Sequence, residues 1–210
     1  MDEPVYPLIR LVRLRMGIDG SGVTTLAAGA GCPLNCRWCI NEKVLKEARA
    51  ENVTAAELME RVRIDDLYFR ASGGGVTFGG GEPLLHAEFL PRFRALCPPE
   101  WKIRAETSLA VPSELVRISA ETLDDFIVDC KDMNPEIYRR YTGGDASLMK
   151  TNLQLLLKTV GPEHILVRVP RIPDYNTEED QSRSRALLIE MGIQNLDLFE
   201  YTIRNTIRTQ

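Results

Sequence analysis

Residues 23–39 of the 210-residue chain read VTTLAAGAGCPLNCRWC, an apolar run that leads directly into three cysteines. The small and β-branched residues from Val23 to Ala30 predict a buried β-strand. Cys32, Cys36 and Cys39 follow from Gly31 onwards, so we expect them in a loop at the carboxyl end of that strand. A buried strand followed at once by unusual polar side chains is a pattern that recurs along the chain.

Five further strand candidates alternate with helix-like segments. The strands are predicted at 76–78, 101–105, 125–130, 165–169 and 195–199, and the helices at 54–67, 86–96, 113–119, 147–160 and 177–191. Such an alternation predicts a parallel sheet with right-handed crossovers. Unusual polar groups at the carboxyl ends of successive strands are typical of the active-site face of a barrel. We therefore expect an α/β fold, a partial (β/α)6 TIM-like barrel of parallel strands, rather than an open doubly wound sheet.

The composition is that of an ordinary globular domain, with 26 basic and 30 acidic residues and a formal net charge of −4. This mild acidity argues against nucleic acid or a membrane surface as a partner, because both require a basic face. No apolar run approaches the roughly 20 residues that span a bilayer. The sequence thus predicts one cytoplasmic domain over residues 1–210. The presence of only two histidines argues against mechanisms that need several.

Three of the five cysteines lie within a CX3CX2C arrangement, which indicates a metal centre rather than disulfides in the reducing cytosol. Thiolates at this spacing suit an iron–sulfur cluster or zinc. A structural zinc site needs a fourth ligand that the fold would have to supply. Cys97 and Cys130 are expected to be unligated packing thiols.

A glycine-rich stretch, residues 73–83, follows the second predicted strand. Glycine allows the backbone to approach a ligand closely. The Gly80-Gly81-Glu82 turn would expose backbone carbonyls and one carboxylate, which are acceptors for a ligand's ammonium group. A phosphate loop is disfavoured, because no Gly-Lys-Ser/Thr is present and Glu82 would repel an anion.

The CX3CX2C motif, with Trp38 before its third cysteine, resembles the signature of the radical S-adenosylmethionine (SAM) enzymes. The resemblance implies that Cys32, Cys36 and Cys39 hold a [4Fe-4S] cluster. The open iron would chelate the amino and carboxylate groups of SAM, whose reductive cleavage yields a 5′-deoxyadenosyl radical that abstracts a hydrogen. The glycine-rich turn is similar to the Gly-Gly-Glu motif of that superfamily, which binds the methionine amino group.

Asp19-Gly20-Ser21-Gly22 resembles the Asp-Gly-Pro-Gly motif of the glycyl-radical-enzyme activases. The closest resemblance within that family is to the pyruvate formate-lyase-activating type, in the short form without a ferredoxin insert. It implies a glycyl radical enzyme as protein substrate and an electron donor such as flavodoxin or ferredoxin. Asp19, Gly20 and Gly22 would then face the partner at the mouth of the barrel.

The same resemblance implies a set of residues that contact the cofactor: Trp38, Asn41, Gly80, Gly81, Glu82, Glu106, Thr107, Asp129, Lys131, Arg168 and Tyr201. Glu106, Thr107 and Asp129, with the carbonyl of Ile127, would also line a site for a monovalent cation beside the cofactor carboxylate.

The chain departs from the activase pattern mainly where the family meets its protein substrate. Ser21 replaces a proline, Thr24 an arginine and Thr202 a histidine. Two alternatives therefore stay open. One is a radical SAM enzyme that acts on a small molecule or short peptide, and the other is a non-catalytic zinc-binding module.

Overall fold

One mixed sheet organises residues 3–202, the part of the chain that the computed structural model describes. Its strands are β1 (Tyr6–Met16), β2 (Val23–Gly29), β3 (Glu51–Val53), β4 (Gly75–Gly80), β5 (Lys102–Thr107), β6 (Asp125–Asp129), β7 (Ile165–Arg171) and β8 (Asn195–Glu200). The helices are α1 (Glu42–Glu47), α2 (Ala55–Val62), α3 (Asp66–Ser72), α4 (Phe89–Leu96), α5 (Ser113–Ala120), α6 (Pro135–Thr142), α7 (Ala146–Val160) and α8 (Glu178–Glu190). The strand order is β3-β1-β2-β4-β5-β6-β7-β8.

The six predicted strands are confirmed as a parallel array, because β2, β4, β5, β6, β7 and β8 pair with one another in parallel. Each begins and ends within a few residues of its prediction. Two predicted helices also begin at capping boxes, one at Thr54 with Glu57 and one at Thr177 with Asp180. That residues 1–210 form a single domain stays a prediction.

The expectation of parallel strands alone was wrong for β1 and β3, which sequence patterning missed. β1 lies antiparallel to β2, and β3 lies antiparallel to the start of β1. Basic residues interrupt β1 at Arg10, Arg13 and Arg15, and β3 has three residues, so neither shows a long apolar run. β1 matters for the site because it carries Arg15 to the loop that precedes β2.

Alternation along the parallel strands separates the core from the site. Phe78, Phe126 and Val128 point towards the helices and are fully buried. Phe78 meets Phe93 of α4 edge to face, with 5.3 Å between ring centroids. Burying each such ring stabilises the fold by roughly 1.5–3 kcal/mol. Positions of the opposite parity, such as Glu106, point towards the concave side of the sheet. None of the described helices is long and apolar enough to cross a membrane.

Candidate cofactor-binding site

A cavity of about 870 Å³ lies on the concave side of the sheet and gathers most of the polar residues singled out in the sequence. Its walls contain Cys32, Cys36, Trp38, Cys39, Asn41, Gly80, Gly81, Glu82, Glu106, Thr107, Asp129, Lys131, Arg168 and Tyr201. The cysteine loop and the carboxyl ends of the strands form one end of the cavity. The loop before β2 and the amino ends of the strands form the other.

The cysteine loop is held in place by backbone hydrogen bonds to the end of α6. The amide of Asn35 donates to the carbonyl of Thr142 at 2.8 Å, and the amide of Arg37 donates to the carbonyl of Tyr141 at 3.1 Å. The Trp38 indole donates to the carbonyl of Pro173 at 3.3 Å. The loop is thereby fixed from two sides, with its three thiols free of disulfides.

The chemistry of the three thiols fits a metal cluster. Burial raises the pKa of Cys36 to about 11 and also raises the pKa of Cys32. Thiolates here therefore need a cationic centre to stabilise them, as an iron–sulfur cluster does. Within residues 3–202 no three Cys, His, Asp or Glu side chains converge on one point as ligands of a single metal ion. In a four-iron cluster each cysteine binds a different iron, so the ligand sulfur atoms lie farther apart than the ligands of a single metal ion.

The glycine turn packs directly against the cysteine loop. The amide of Gly81 donates to the carbonyl of Gly29 at 3.0 Å, and that of Glu82 donates to the carbonyl of Gly31 at 2.7 Å. The side-chain amide of Asn41 donates to the carbonyl of Gly80 at 2.8 Å. These bonds fix the Gly-Gly-Glu turn beside the first cysteine.

Glu82 differs from its expected role as an acceptor for a ligand's ammonium group. Its buried carboxylate accepts hydrogen bonds from the Thr107 hydroxyl at 2.7 Å and from the amide and hydroxyl of Ser108 at 2.8 and 2.6 Å. The amide of Leu84 donates a fourth at 3.2 Å. Burial raises the pKa of Glu82, and the bonds from Ser108 and Thr107 oppose that shift. The side chain thus ties the glycine turn to the end of β5.

A Gly81→Ala variant should be destabilised by about 2 kcal/mol and should bind SAM more weakly. A methyl group at Gly81 would overlap the backbone carbonyl oxygen of Gly31, so the turn and the cysteine loop would separate. Chemical denaturation and SAM titration of the reconstituted protein measure the two effects. Gly73→Asn is the matched control from the same glycine cluster, since Gly73 ends α3 in the left-handed region, which asparagine tolerates, and a side chain there meets nothing within 4 Å. Equal effects in both variants would contradict the proposed packing role.

The basic residues of the cavity are paired with carboxylates. Arg168 donates to Glu106 at 2.8 Å and also to the carbonyl of Ile18. Lys131 donates to Asp129 at 2.8 Å and to the Tyr201 hydroxyl at 3.1 Å. Burial raises the pKa of Glu106, and Arg168 opposes that shift. Neutralising ion pairs of this kind allow charged groups to line a cavity.

The expected cage for a monovalent cation is not formed by the described side chains. Glu106 is paired with Arg168, Asp129 with Lys131, and the Thr107 hydroxyl donates to Glu82. The three oxygen donors therefore satisfy protein partners instead of converging. The sequence could not reveal this, because it does not show which cation each carboxylate faces.

The partner-facing role expected of Asp19 is contradicted by its burial. The side chain is fully buried, and it accepts a hydrogen bond from Arg15 of β1 at 2.8 Å. Gly22 is also enclosed, because a methyl group there would lie 2.5 Å from the amide of Gly74. Gly20 does line the cavity, and a methyl group there would lie 2.8 Å from Cδ of Arg104.

Several polar residues of the cavity were missed by sequence reasoning. They are Ser21, Arg104, Ser108, Asp125, Glu163, His164, Asn195 and Asp197. Parity along the strands could have found some of them, since Arg104 shares a face with Glu106, and Asp125 with Asp129.

The model of the radical SAM superfamily matches residues 27–182 of this chain. The chain belongs to the radical SAM superfamily. Membership implies a [4Fe-4S] cluster and SAM as cofactors, which the three thiols and the glycine turn of the cavity fit. Membership in this enzyme superfamily contradicts the alternative of a non-catalytic zinc-binding module.

Three curated relatives are 27–29% identical to this radical SAM enzyme over the aligned residues. The (2S)-3-sulfopropanediol dehydratase activating enzyme of Klebsiella oxytoca is 28% identical, with 87% of this chain and 78% of the relative covered. The pyruvate formate-lyase 2-activating enzyme of Escherichia coli is 27% identical, with 87% and 73% covered. The pyruvate formate-lyase-activating enzyme of Clostridium pasteurianum is 29% identical, with 90% and 79% covered.

Solved structures confirm the predicted fold class of this radical SAM enzyme. SAM-bound SuiB of Streptococcus suis superposes with a TM-score of 0.65 at 15% identity, over 83% of this chain and 39% of SuiB. Native anSMEcpe with bound SAM gives a TM-score of 0.61 at 17% identity, over 81% of this chain and 48% of that protein. At these identities the likeness concerns the fold alone. The partial TIM-like barrel is thus confirmed, and the chain spans less than half of each of these larger proteins.

Proposed function

We propose that this radical SAM enzyme activates a glycyl radical enzyme by removing a hydrogen atom from a glycine of that partner. The observation that carries the proposal is the joining of the cysteine loop and the Gly-Gly-Glu turn at one end of a cavity large enough for cofactor and substrate. The names of the curated relatives above, all activating enzymes, support the choice of partner.

Each part of the cavity takes a role in this proposal. Cys32, Cys36 and Cys39 would hold the cluster, and the carbonyls of Gly80 and Gly81 would accept from the ammonium group of SAM. The bound cofactors would supply reductive cleavage of SAM and abstraction of a hydrogen atom from the substrate. Asn41 positions the glycine turn, to which it already donates a hydrogen bond.

The paired charges on β5, β6 and β7 would position the rest of the cofactor. Lys131 and Arg168 would contact its carboxylate or ribose after partial release from Asp129 and Glu106. Trp38 and Tyr201 border the same end of the cavity and would exclude water from the reacting atoms. Gly20 would lie beneath the entering segment of the partner. A reduced flavodoxin or ferredoxin would donate the electron at the cysteine loop, where Cys32 is exposed.

The test combines the anaerobically reconstituted protein with dithionite, SAM and a large enzyme encoded beside it that carries a carboxyl-terminal glycine loop. We expect a glycyl doublet in the EPR spectrum and transfer of deuterium from an α-deuterated glycine of the partner into 5′-deoxyadenosine. A partner whose target glycine is replaced by alanine is the control and should give neither signal.

Two other outcomes would point elsewhere. Cleavage of SAM without a doublet or deuterium transfer would contradict the activase role and favour a small molecule or short peptide as substrate. Absence of cleavage, with one equivalent of bound zinc, would contradict radical chemistry altogether.

A further inference from the structure

Four polar side chains form a continuous chain across the end of the cavity that is remote from the cysteine loop. The hydroxyl of Ser21 accepts from Arg104 Nη2 at 2.8 Å, and Arg104 Nε donates to Asp125 at 3.0 Å. The other oxygen of Asp125 lies 3.1 Å from Nδ1 of His164. The residues come from the loop before β2 and from or beside the amino ends of β5, β6 and β7, and all four line the cavity. Ser21, a departure from the activase pattern, thus supplies one link of this chain.

These hydrogen bonds determine which nitrogen of the His164 imidazole acts as the donor. One oxygen of Asp125 accepts from the Arg104 guanidinium and the other faces Nδ1 of His164, and a carboxylate can only accept. Nδ1 of His164 must therefore donate to Asp125, as in other carboxylate–histidine pairs. In the neutral ring Nε2 then carries a lone pair, and it has no protein partner among residues 3–202. His164 presents an acceptor at this end of the cavity.

The groups around His164 are acceptors as well. The side-chain amide of Asn195 donates to the carbonyls of Pro162 at 3.2 Å and Ile165 at 3.4 Å, so its oxygen is the atom left for a ligand. The carboxylates of Glu163 and Asp197 line the same cavity, and the nearest cation to Asp197 is Arg168 Nε at 3.8 Å. Arg104 is ion-paired with Asp125 and donates to Ser21, and its Nη1 is buried without a hydrogen-bond partner among the described residues. Around His164 this end therefore offers several acceptors, and Arg104 is a cation already paired with a carboxylate.

We propose that His164 is a specificity-determining residue that accepts a hydrogen bond from a donor on the substrate segment, preferably a Lys or Arg side chain. The inference rests on the proposed function and names the chemistry of the segment that enters the cavity. Asp125 and Asp129 are four positions apart on β6, which corresponds to roughly 13 Å along a strand. An extended segment covers that length in about four residues. Because the cofactor would occupy part of this length, the donor should lie no more than about four residues from the reacting glycine.

The test uses nonapeptides with a central α-deuterated glycine and a lysine two, three or four positions before or after it, compared with peptides that carry methionine instead. Deuterium transfer into 5′-deoxyadenosine gives kcat and KM for each. For the wild-type enzyme we expect the best-placed lysine peptide to have a KM roughly tenfold below its methionine counterpart, with kcat within threefold. His164→Ala should abolish that preference. Lys158→Ala, an exposed change on the neighbouring helix α7, should keep the preference.

A second measurement needs no turnover and separates this inference from the proposed function. Diethyl pyrocarbonate modifies accessible imidazoles, and the lysine peptide should slow modification of His164 but not of His86. Protection without deuterium transfer from peptides or partner would contradict the proposed function and support the donor-binding site. Transfer with equal KM values for lysine and methionine peptides, or an undiminished preference in His164→Ala, would overturn the role of His164.

Discussion

A Cys36→Ala variant is expected to lose the visible absorbance of the cluster and more than a hundredfold of SAM cleavage. Loss of a group that merely orients a metal ligand costs roughly 10- to 100-fold, and loss of the ligand itself should exceed that. Cys36 lies in the cavity wall within a loop fixed by hydrogen bonds to α6, and the two other thiols of that loop are assigned as ligands themselves. Iron and sulfide content, the absorbance spectrum and 5′-deoxyadenosine formation after anaerobic reconstitution measure the effect.

Cys97→Ala is the matched control. The Cys97 thiol donates to the carbonyl of Phe93 at 3.2 Å, and burial raises its pKa to about 12, so it remains a protonated packing group. The variant should keep its full cluster content. A loss of cluster equal to that of Cys36→Ala would show that a fourth thiol binds iron and would contradict the three-ligand assignment.

A Glu82→Ala variant should lose about 3 kcal/mol or more of its free energy of unfolding. The change leaves the hydroxyls of Thr107 and Ser108 and the amides of Ser108 and Leu84 without their acceptor, and each unsatisfied buried donor costs roughly 1–3 kcal/mol. This is a large share of the 5–15 kcal/mol typical of a domain. The glycine turn would also move, so SAM binding should weaken. Denaturant unfolding and SAM titration of the purified protein measure both effects.

The pH dependence gives an independent check on Glu82. Because burial raises its pKa in the folded state above the ordinary 4.5, the folded protein binds this proton more tightly than the unfolded chain. The contribution to stability is complete below pH 4.5 and is lost as the pH rises through the folded-state pKa. Glu82→Gln should flatten this part of the profile in the metal-free protein. The exposed control Glu88→Gln should leave it unchanged, and a flattening in both variants would contradict the assignment.

Burial and alternation explain how much of the fold could be predicted. The six parallel strands carry runs such as the one from Phe126 to Cys130, whose apolar character requires burial on the helix side whatever the rest of the chain does. β1 was not predicted because several arginines in one segment are typical of a solvent-exposed surface. In the structure, Arg13 and Arg15 pair with the buried Asp65 and Asp19. The prediction for Asp19 was wrong for the same reason, because the sequence does not show that its carboxylate pairs with Arg15.

The features of the site also differ in how well the sequence predicts them. Cysteine spacing and the Gly-Gly-Glu turn depend on local sequence and could be read directly, and the cavity brings them together. Pairings such as Arg168 with Glu106, or Arg104 with Asp125, join residues 62 and 21 positions apart and depend on strand register. Register is a property of the folded sheet. The pairings of Asp125 with Arg104 and His164 were therefore beyond what one sequence could supply.

The position of Trp38 gives the protein an optical signal of its own. The chain has two tryptophans, and Trp101 is fully buried, with its ring 4.8 Å from that of Phe69 and its indole bonded to Asp66. Trp38 instead sits between the second and third cysteines and is partly exposed to solvent. An iron–sulfur chromophore bound there would quench the emission of Trp38 by energy transfer far more than that of Trp101. Fluorescence can thus follow loading, oxidative loss and repair of the metal centre in real time, without any added label.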